Sequence, residues 1–149
     1  MQAVRIYEIP DCKMVSSGPG MFGQEKFDRF HAWFSSLPRK QHPGNYLYLN
    51  DRTQELHWLQ LYEKDMTVPD EFEIIDFKGG LYAVSTDIDN QTDMEAINKA
   101  QNEFFKTHGF EIDESRLPLG NTFTPPSAEK VMGYTQMDYY TPIKVQRTK

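Results

Sequence analysis

The run Gln136-Met137-Asp138-Tyr139-Tyr140-Thr141 sets a carboxylate among tyrosines. In an extended strand, alternate side chains face opposite sides. Gln136, Asp138 and Tyr140 then share one face, and Met137 and Tyr139 share the other. If Met137 and Tyr139 pack on a helix, Asp138 and Tyr140 line an open face. A carboxylate between aromatic rings is a receptor for an organic cation. Cation–π attraction reaches roughly 2 kcal/mol when desolvated, and the opposite charge adds to it at low dielectric. The same pair suits hydrolysis of a strained electrophile: Asp138 orients or deprotonates water, and Tyr140 donates to the leaving oxygen. The plain alternative is a surface strand with Asp138 in water, the ordinary place for an unpaired acid.

Leu56 to Glu63 is the second chemical segment. Trp58, Gln60 and Tyr62 share one parity, and His57, Leu59 and Leu61 share the other. Trp58 and Tyr62 are the expected stacking walls. Tyr46 and Tyr48 share a parity on the preceding strand and extend that wall, and Tyr82, after Gly79-Gly80, adds a phenol. Against this stands ordinary cross-strand packing of aromatic residues. In favour stands economy: two helices cover one sheet face, yet aromatics occur at both parities.

Other residues carry less. His31 lies near a phenylalanine stripe and takes no role. His42, His57 and His108 lack metal-ligand spacing, so no metal and no cofactor are expected. Gly18-Pro19-Gly20-Met21-Phe22-Gly23 matches G-x-G-x-x-G. A dinucleotide fold is rejected, because no parallel strand–helix–strand unit follows and Pro19 removes an amide donor. These glycines instead serve a sharp turn between strand and helix. Cys12 is the single cysteine and has no activating neighbour, which excludes an internal disulfide.

The 149 residues suffice for one hydrophobic core. Net charge is -6 and no basic run occurs, so direct nucleic-acid binding is not expected. Apolar stretches are too short to span a bilayer, and the opening MQAVRIYEIPDCK lacks the apolar core of a signal peptide. The expectation is a cytoplasmic protein without a membrane segment. Aromatic residues, at 13%, are the compositional feature to explain.

Two segments have helical rhythm. Phe27, Phe30, Phe34 and Leu37 form a stripe between about Gln24 and Leu37, ended by Pro38. Met94, Ile97, Gln101, Phe104 and Phe105 form another between about Asp93 and His108. There Thr92 and Glu95 read as a capping box and Gly109 as the stop. Strands are expected over Met14–Ser17, Tyr46–Leu49, Leu56–Tyr62, Phe72–Phe77, Leu81–Thr86 and Tyr134–Val145. Turns are expected at Pro43-Gly44-Asn45, Asn50-Asp51, Val68-Pro69-Asp70, Gly79-Gly80, Pro118, Pro125-Pro126 and Gly133. Phe110 to Lys130 reads as a long connection with a short strand around Thr122–Thr124. The order suggests duplication: Met14-Val15-Ser16-Ser17 aligns with Ala83-Val84-Ser85-Thr86 at an offset of 69, and Phe27, Phe30 and Phe34 align with Ile97, Ala100 and Phe104 at an offset of 70.

Three stretches, in order, resemble the GyrI-like small-molecule-binding domain, the effector-binding domain of AraC-type and multidrug-sensing regulators. They are IPDCKMVSSGPGMFG followed by FDRFHAWFSSLP, then FEIIDFKGGLYAVST, then MDYYTPIK. The resemblance implies an α+β fold: duplicated βαββ units, about 1–75 and 76–149, form a curved antiparallel sheet with two helices on one face. It also implies an aromatic pocket between the halves with an acid in it. Family members bind bulky, often cationic or lipophilic compounds. Some are drug sensors fused to a DNA-binding domain, some antagonise gyrase toxins, and some hydrolyse cyclopropane-containing genotoxins. Asp138 stands where the family usually has glutamate, one methylene shorter. No helix-turn-helix precedes the first strand, so a sensor role implies a separate regulator.

Three functions therefore stand in order: a stand-alone binding module for lipophilic cationic aromatic compounds, a hydrolase of strained cyclopropanoids, and a protein-interaction module such as a gyrase modulator. The first implies a ligand site of Asp138, Tyr140, Trp58, Tyr62, Tyr46, Tyr48 and Tyr82. It also implies weaker binding in acid, because protonating the counter-charge removes it.

Overall fold

A phenylalanine stripe on a helix is stable only against an apolar sheet face. The computed structural model supplies one such face to each of two compact units. It describes residues 3–38, 44–50, 53–122 and 124–147. The expected turn residues Pro43 and Asp51, His42, and the middle of the Thr122–Thr124 strand lie outside these.

The first unit is Asp11–Lys78. It contains β2 (Cys12–Gly20), α1 (Glu25–Ser36), β3 (Asn45–Asn50), β4 (Glu55–Leu61) and β5 (Glu73–Phe77), numbered after an earlier strand β1 (Arg5–Ile9). Its antiparallel strands run in the order β3-β4-β2-β5. Phe30 of α1 is buried with Val15 and Phe72, flanked by Trp33, Phe34, Trp58 and Tyr62. The Trp33 indole donates to the Thr67 carbonyl at 3.0 Å, which satisfies its only polar atom. Gly18 and Gly20 do not form the expected strand-to-helix turn. They lie within β2, where the register on β4 shifts between Ser16 and Pro19. An amide-less proline is accommodated at such a bulge.

The second unit is Met1–Pro10 with Gly79–Lys149. It contains β1, β6 (Gly80–Ile88), α2 (Met94–His108), β7 (Phe110–Ile112), β8 (Leu119–Thr122), α3 (Pro126–Met132) and β9 (Gln136–Val145). The order is β1-β6-β9-β8, all antiparallel, with β7 also on β9. Ala83, Phe105 and Ile143 form the core under α2. Gln101 is buried in that interface but satisfied: it donates to Ser85 at 3.1 Å and accepts from Thr141 at 2.6 Å. Among the described residues, no helix is long and apolar enough to cross a membrane.

The α+β class stands as expected; one unit runs β2-α1-β3-β4, and in the other β6-α2-β7-β8-α3-β9 the strand–helix–strand–strand order is interrupted by β7 and α3. The division differs from the expected 1–75 and 76–149. β1 pairs with β6, Arg5 opposite Val84, so the first strand completes the later unit. The offset-69 alignment is one residue out. Val15 faces α1 in the core with Phe30, whereas Ala83, not Val84, faces α2.

Helix α2 is capped by Asp93, not by the expected Thr92. Asp93 Oδ1 accepts from the Ala96 amide at 3.0 Å. Thr92 instead donates to the Ile88 carbonyl and bonds the Tyr139 hydroxyl, which removes it from capping. Gly109, in the left-handed conformation, closes the helix as expected. Asp93→Ala should lower stability by about 1 kcal/mol, or roughly 2–4 °C in melting temperature. Thr92→Val should leave the α2 cap intact, which amide exchange at Ala96 would report.

Candidate functional site

Strand parity in the later unit separates two faces. Tyr139 and Thr141 bond toward α2, through Thr92 and Gln101. Asp138 and Tyr140, one residue out of phase, therefore lie on the helix-free face. Antiparallel partners carry that face across the sheet. Asp138 is opposite Thr86 and Asn121, and Tyr140 is opposite Val84 and Leu119.

Asp138 is not turned into water: the residue is 8% exposed. Its Oδ1 accepts a short hydrogen bond from the Thr86 hydroxyl and lies 3.2 Å from Nη2 of Arg5. Arg5 Nη2 also donates to Thr86 Oγ1 at 3.2 Å, while Nη1 donates to the Tyr7 hydroxyl at 3.3 Å. The Arg5 guanidinium carbon sits 5.3 Å from the Tyr7 ring centre. Rings continue inward: Tyr7 to Tyr140 at 6.2 Å, and Tyr140 to Tyr82 at 6.1 Å, edge-on. Asn121 Nδ2 donates to the Tyr140 hydroxyl at 3.3 Å. Burial, and to a lesser degree the Asp138 charge, push the Tyr140 phenol up to about 12 despite Asn121. It stays protonated across the biological pH range, a polar and uncharged wall.

Three expected residues thus meet here: Asp138, Tyr140 and Tyr82. Tyr46 and Tyr48 belong to the other unit. They lie opposite Leu59 and His57, on the face away from α1, and Tyr48 stacks on His57 at 4.5 Å. Burial pushes the His57 imidazole below its ordinary value, so it is a neutral stacking partner near pH 7. Trp58 and Tyr62 require a correction. Trp58 sits 4.9 Å from Phe34 and 5.7 Å from Phe27, and Tyr62 packs on the same cluster under α1. Both face the helix. The α1 stripe needs large partners, and Trp58 fills the gap between its phenylalanines. They do not share a wall with Tyr46 and Tyr48.

Sequence reading missed Arg5, Tyr7, Thr86 and Asn121. For the first two a signal existed. In Arg5-Ile6-Tyr7-Glu8-Ile9 a cation and a phenol share one parity, but the segment is short and its pairing partner lies far along the chain. Thr86 and Asn121 become visible only once strand register is known.

No family model matches the sequence. No curated protein matches it either. Solved structures match in fold. The C-terminal domain of EcmrR superposes with a TM-score of 0.62 at 7% identity, covering 97% of this chain and 99% of that one. A hydrolase from Listeria innocua gives 0.63 at 11%, covering 95% and 91%. SAV2435 bound to tetraphenylphosphonium gives 0.54 at 7%, covering 95% and 94%. At these identities the likeness is one of fold, and it agrees with the architecture described above.

Proposed function

We propose that this chain is a GyrI-like small-molecule-binding module whose ligand is a lipophilic organic cation. One observation carries the reading: a carboxylate withdrawn from water among tyrosines, on the sheet face away from its helix. Burying an acid costs free energy unless a cation compensates it, so such a position favours cationic partners. The rings add attraction that grows as water is excluded. The fold likeness to SAV2435, solved with tetraphenylphosphonium, supports the same class of ligand. Hydrolysis is the weaker reading. Burial pushes the Tyr140 phenol up to about 12, which makes it a poor proton donor to a leaving oxygen.

The test is calorimetric titration of tetraphenylphosphonium into the wild-type protein and Asp138→Asn. The wild type should saturate in the micromolar to submillimolar range. The variant should bind about tenfold or more weakly, the size expected for a lost charge-assisted contact. Equal affinities, or no saturation up to about 1 mM, would overturn the proposal.

A further inference from the structure

The guanidinium of Arg5 makes the contacts that the proposed ligand would make. It pairs with Asp138 Oδ1, bonds Thr86, and lies over the ring of Tyr7. Carboxylate and cation together are neutral, so the site offers no net negative charge while Arg5 is in place. Resting on the cation-binding reading above, we propose that Arg5 is a resident counter-cation of Asp138. An incoming cation displaces it, and it thereby decides which cations bind.

The geometry makes one partner mobile and the other fixed. The Asp138 side chain is 11% exposed and sits in β9, between β6 and β8. The Asp138 backbone is held by two ladders and its carboxylate by the Thr86 hydroxyl. The Arg5 side chain is 46% exposed, on a strand paired through β6 alone within its unit. It carries a long flexible stem, and its charge regains water as soon as it swings out. Thr86 remains to hold the carboxylate in place.

Displacement imposes selectivity. A small, strongly hydrated cation must shed its water to replace a guanidinium that was already well placed, so it gains little. A bulky cation with delocalised charge sheds little hydration and gains contact with the exposed ring of Tyr7, which Arg5 covers. The site therefore selects weakly hydrated, ring-sized cations and rejects ammonium-like ones. Arg5 contributes this by competition rather than by touching the ligand.

A competitor that occupies a site lowers apparent affinity by the fraction of time the site is free. If Arg5 holds Asp138 for about nine-tenths of the time, its removal tightens binding about tenfold. The experiment is titration of tetraphenylphosphonium into the wild type, Arg5→Gln, Asp138→Asn and the double variant, with thermal melting to verify folding. Arg5→Gln should bind about tenfold more tightly than wild type. The double variant should bind no better than Asp138→Asn, because without the carboxylate Arg5 has nothing to compete for. Arg5→Lys, which keeps the charge but loses the planar fork, should fall between wild type and Arg5→Gln. It supplies the answer if the glutamine variant melts prematurely. If Arg5→Gln and Arg5→Lys bind as wild type or more weakly while Asp138→Asn still loses affinity, the competition is refuted and the cation site survives. If none of these proteins binds, the cation site itself falls, and Arg5's role with it.

Discussion

Gly79→Ala should prevent stable folding at 37 °C, or lower stability by more than the roughly 1–3 kcal/mol typical of overpacking. A Cβ on Gly79 would stand 1.9 Å from the Ile9 carbonyl oxygen and 2.5 Å from the Pro10 carbonyl carbon. Both are backbone atoms, so no side chain can rotate away. Relief requires moving the end of β1 off β6, where Ile9 pairs with Gly80. Gly133→Ala is the contrasting case. Gly133 has a positive φ of 82°, which Gly79 lacks, and a Cβ there meets nothing within 4 Å. It should cost only the left-handed strain, about 1–2 kcal/mol. Urea midpoints of the two variants would settle the comparison; equal losses would show that β1 yields easily.

Arg116→Met should cost about 3–5 kcal/mol, the range for breaking a buried ionic contact from one side. The Arg116 side chain is 5% exposed. Its Nε donates to Asp113 at 2.9 Å, and its Nη2 donates to the carbonyls of Leu81 at 2.9 Å and Ile143 at 2.7 Å. One guanidinium thereby ties the loop before β8 to β6 and β9, while lying 4.8 Å from the ring centre of Tyr82. Methionine matches the stem but leaves two carbonyls and a carboxylate without these donors. Arg116→Lys should recover only part of the loss, since a point charge cannot reach three acceptors in a plane. The change also alters the acid response. The Ser115 hydroxyl, and then Arg116, hold the Asp113 carboxyl well below the usual carboxylate range. A group depressed by folding stabilises at pH above its unfolded value, and that stability is lost as pH falls through the folded value. The wild type should therefore weaken in acid, and Arg116→Met should show a shallower acid limb in the same urea titrations.

The two helices were legible because 3.6-residue periodicity is local: Phe27 and Phe30, like Ile97, Gln101 and Phe105, are buried where their spacing puts them. Strand parity was equally local within β9. The assumption that Met137 and Tyr139 pack toward a helix put Asp138 and Tyr140 on the helix-free face. For β4 the parity was right but the side was wrong. Nothing in Leu56–Tyr62 says which face meets α1, and Leu59 is as apolar as Trp58 is large. What local pattern could not reveal was pairing at long range. Arg5 comes near Asp138 only because β1 joins β6, and β6 joins β9. The irregular stretch after Phe110 hid β7 and α3 for a different reason. β7 spans only Phe110–Ile112, and α3 only Pro126–Met132 with no buried residue, so neither leaves a readable period.

The later unit is completed by a strand borrowed across the chain. β1 precedes β2 in sequence yet closes the sheet of β6, while β5 precedes β6 yet closes that of β2. During synthesis β1 precedes Gly80–Val84 and waits for that segment to leave the ribosome before it finds its ladder. A polypeptide cut near Lys78 would give a trailing half that lacks its edge strand and a leading half that carries an orphaned one. Closing β1 onto β6 is thus a step of high contact order, slow beside the local pairing of the other strands. The Asp11–Lys78 unit completes its four strands from its own chain, whereas the later unit cannot close its sheet without β1.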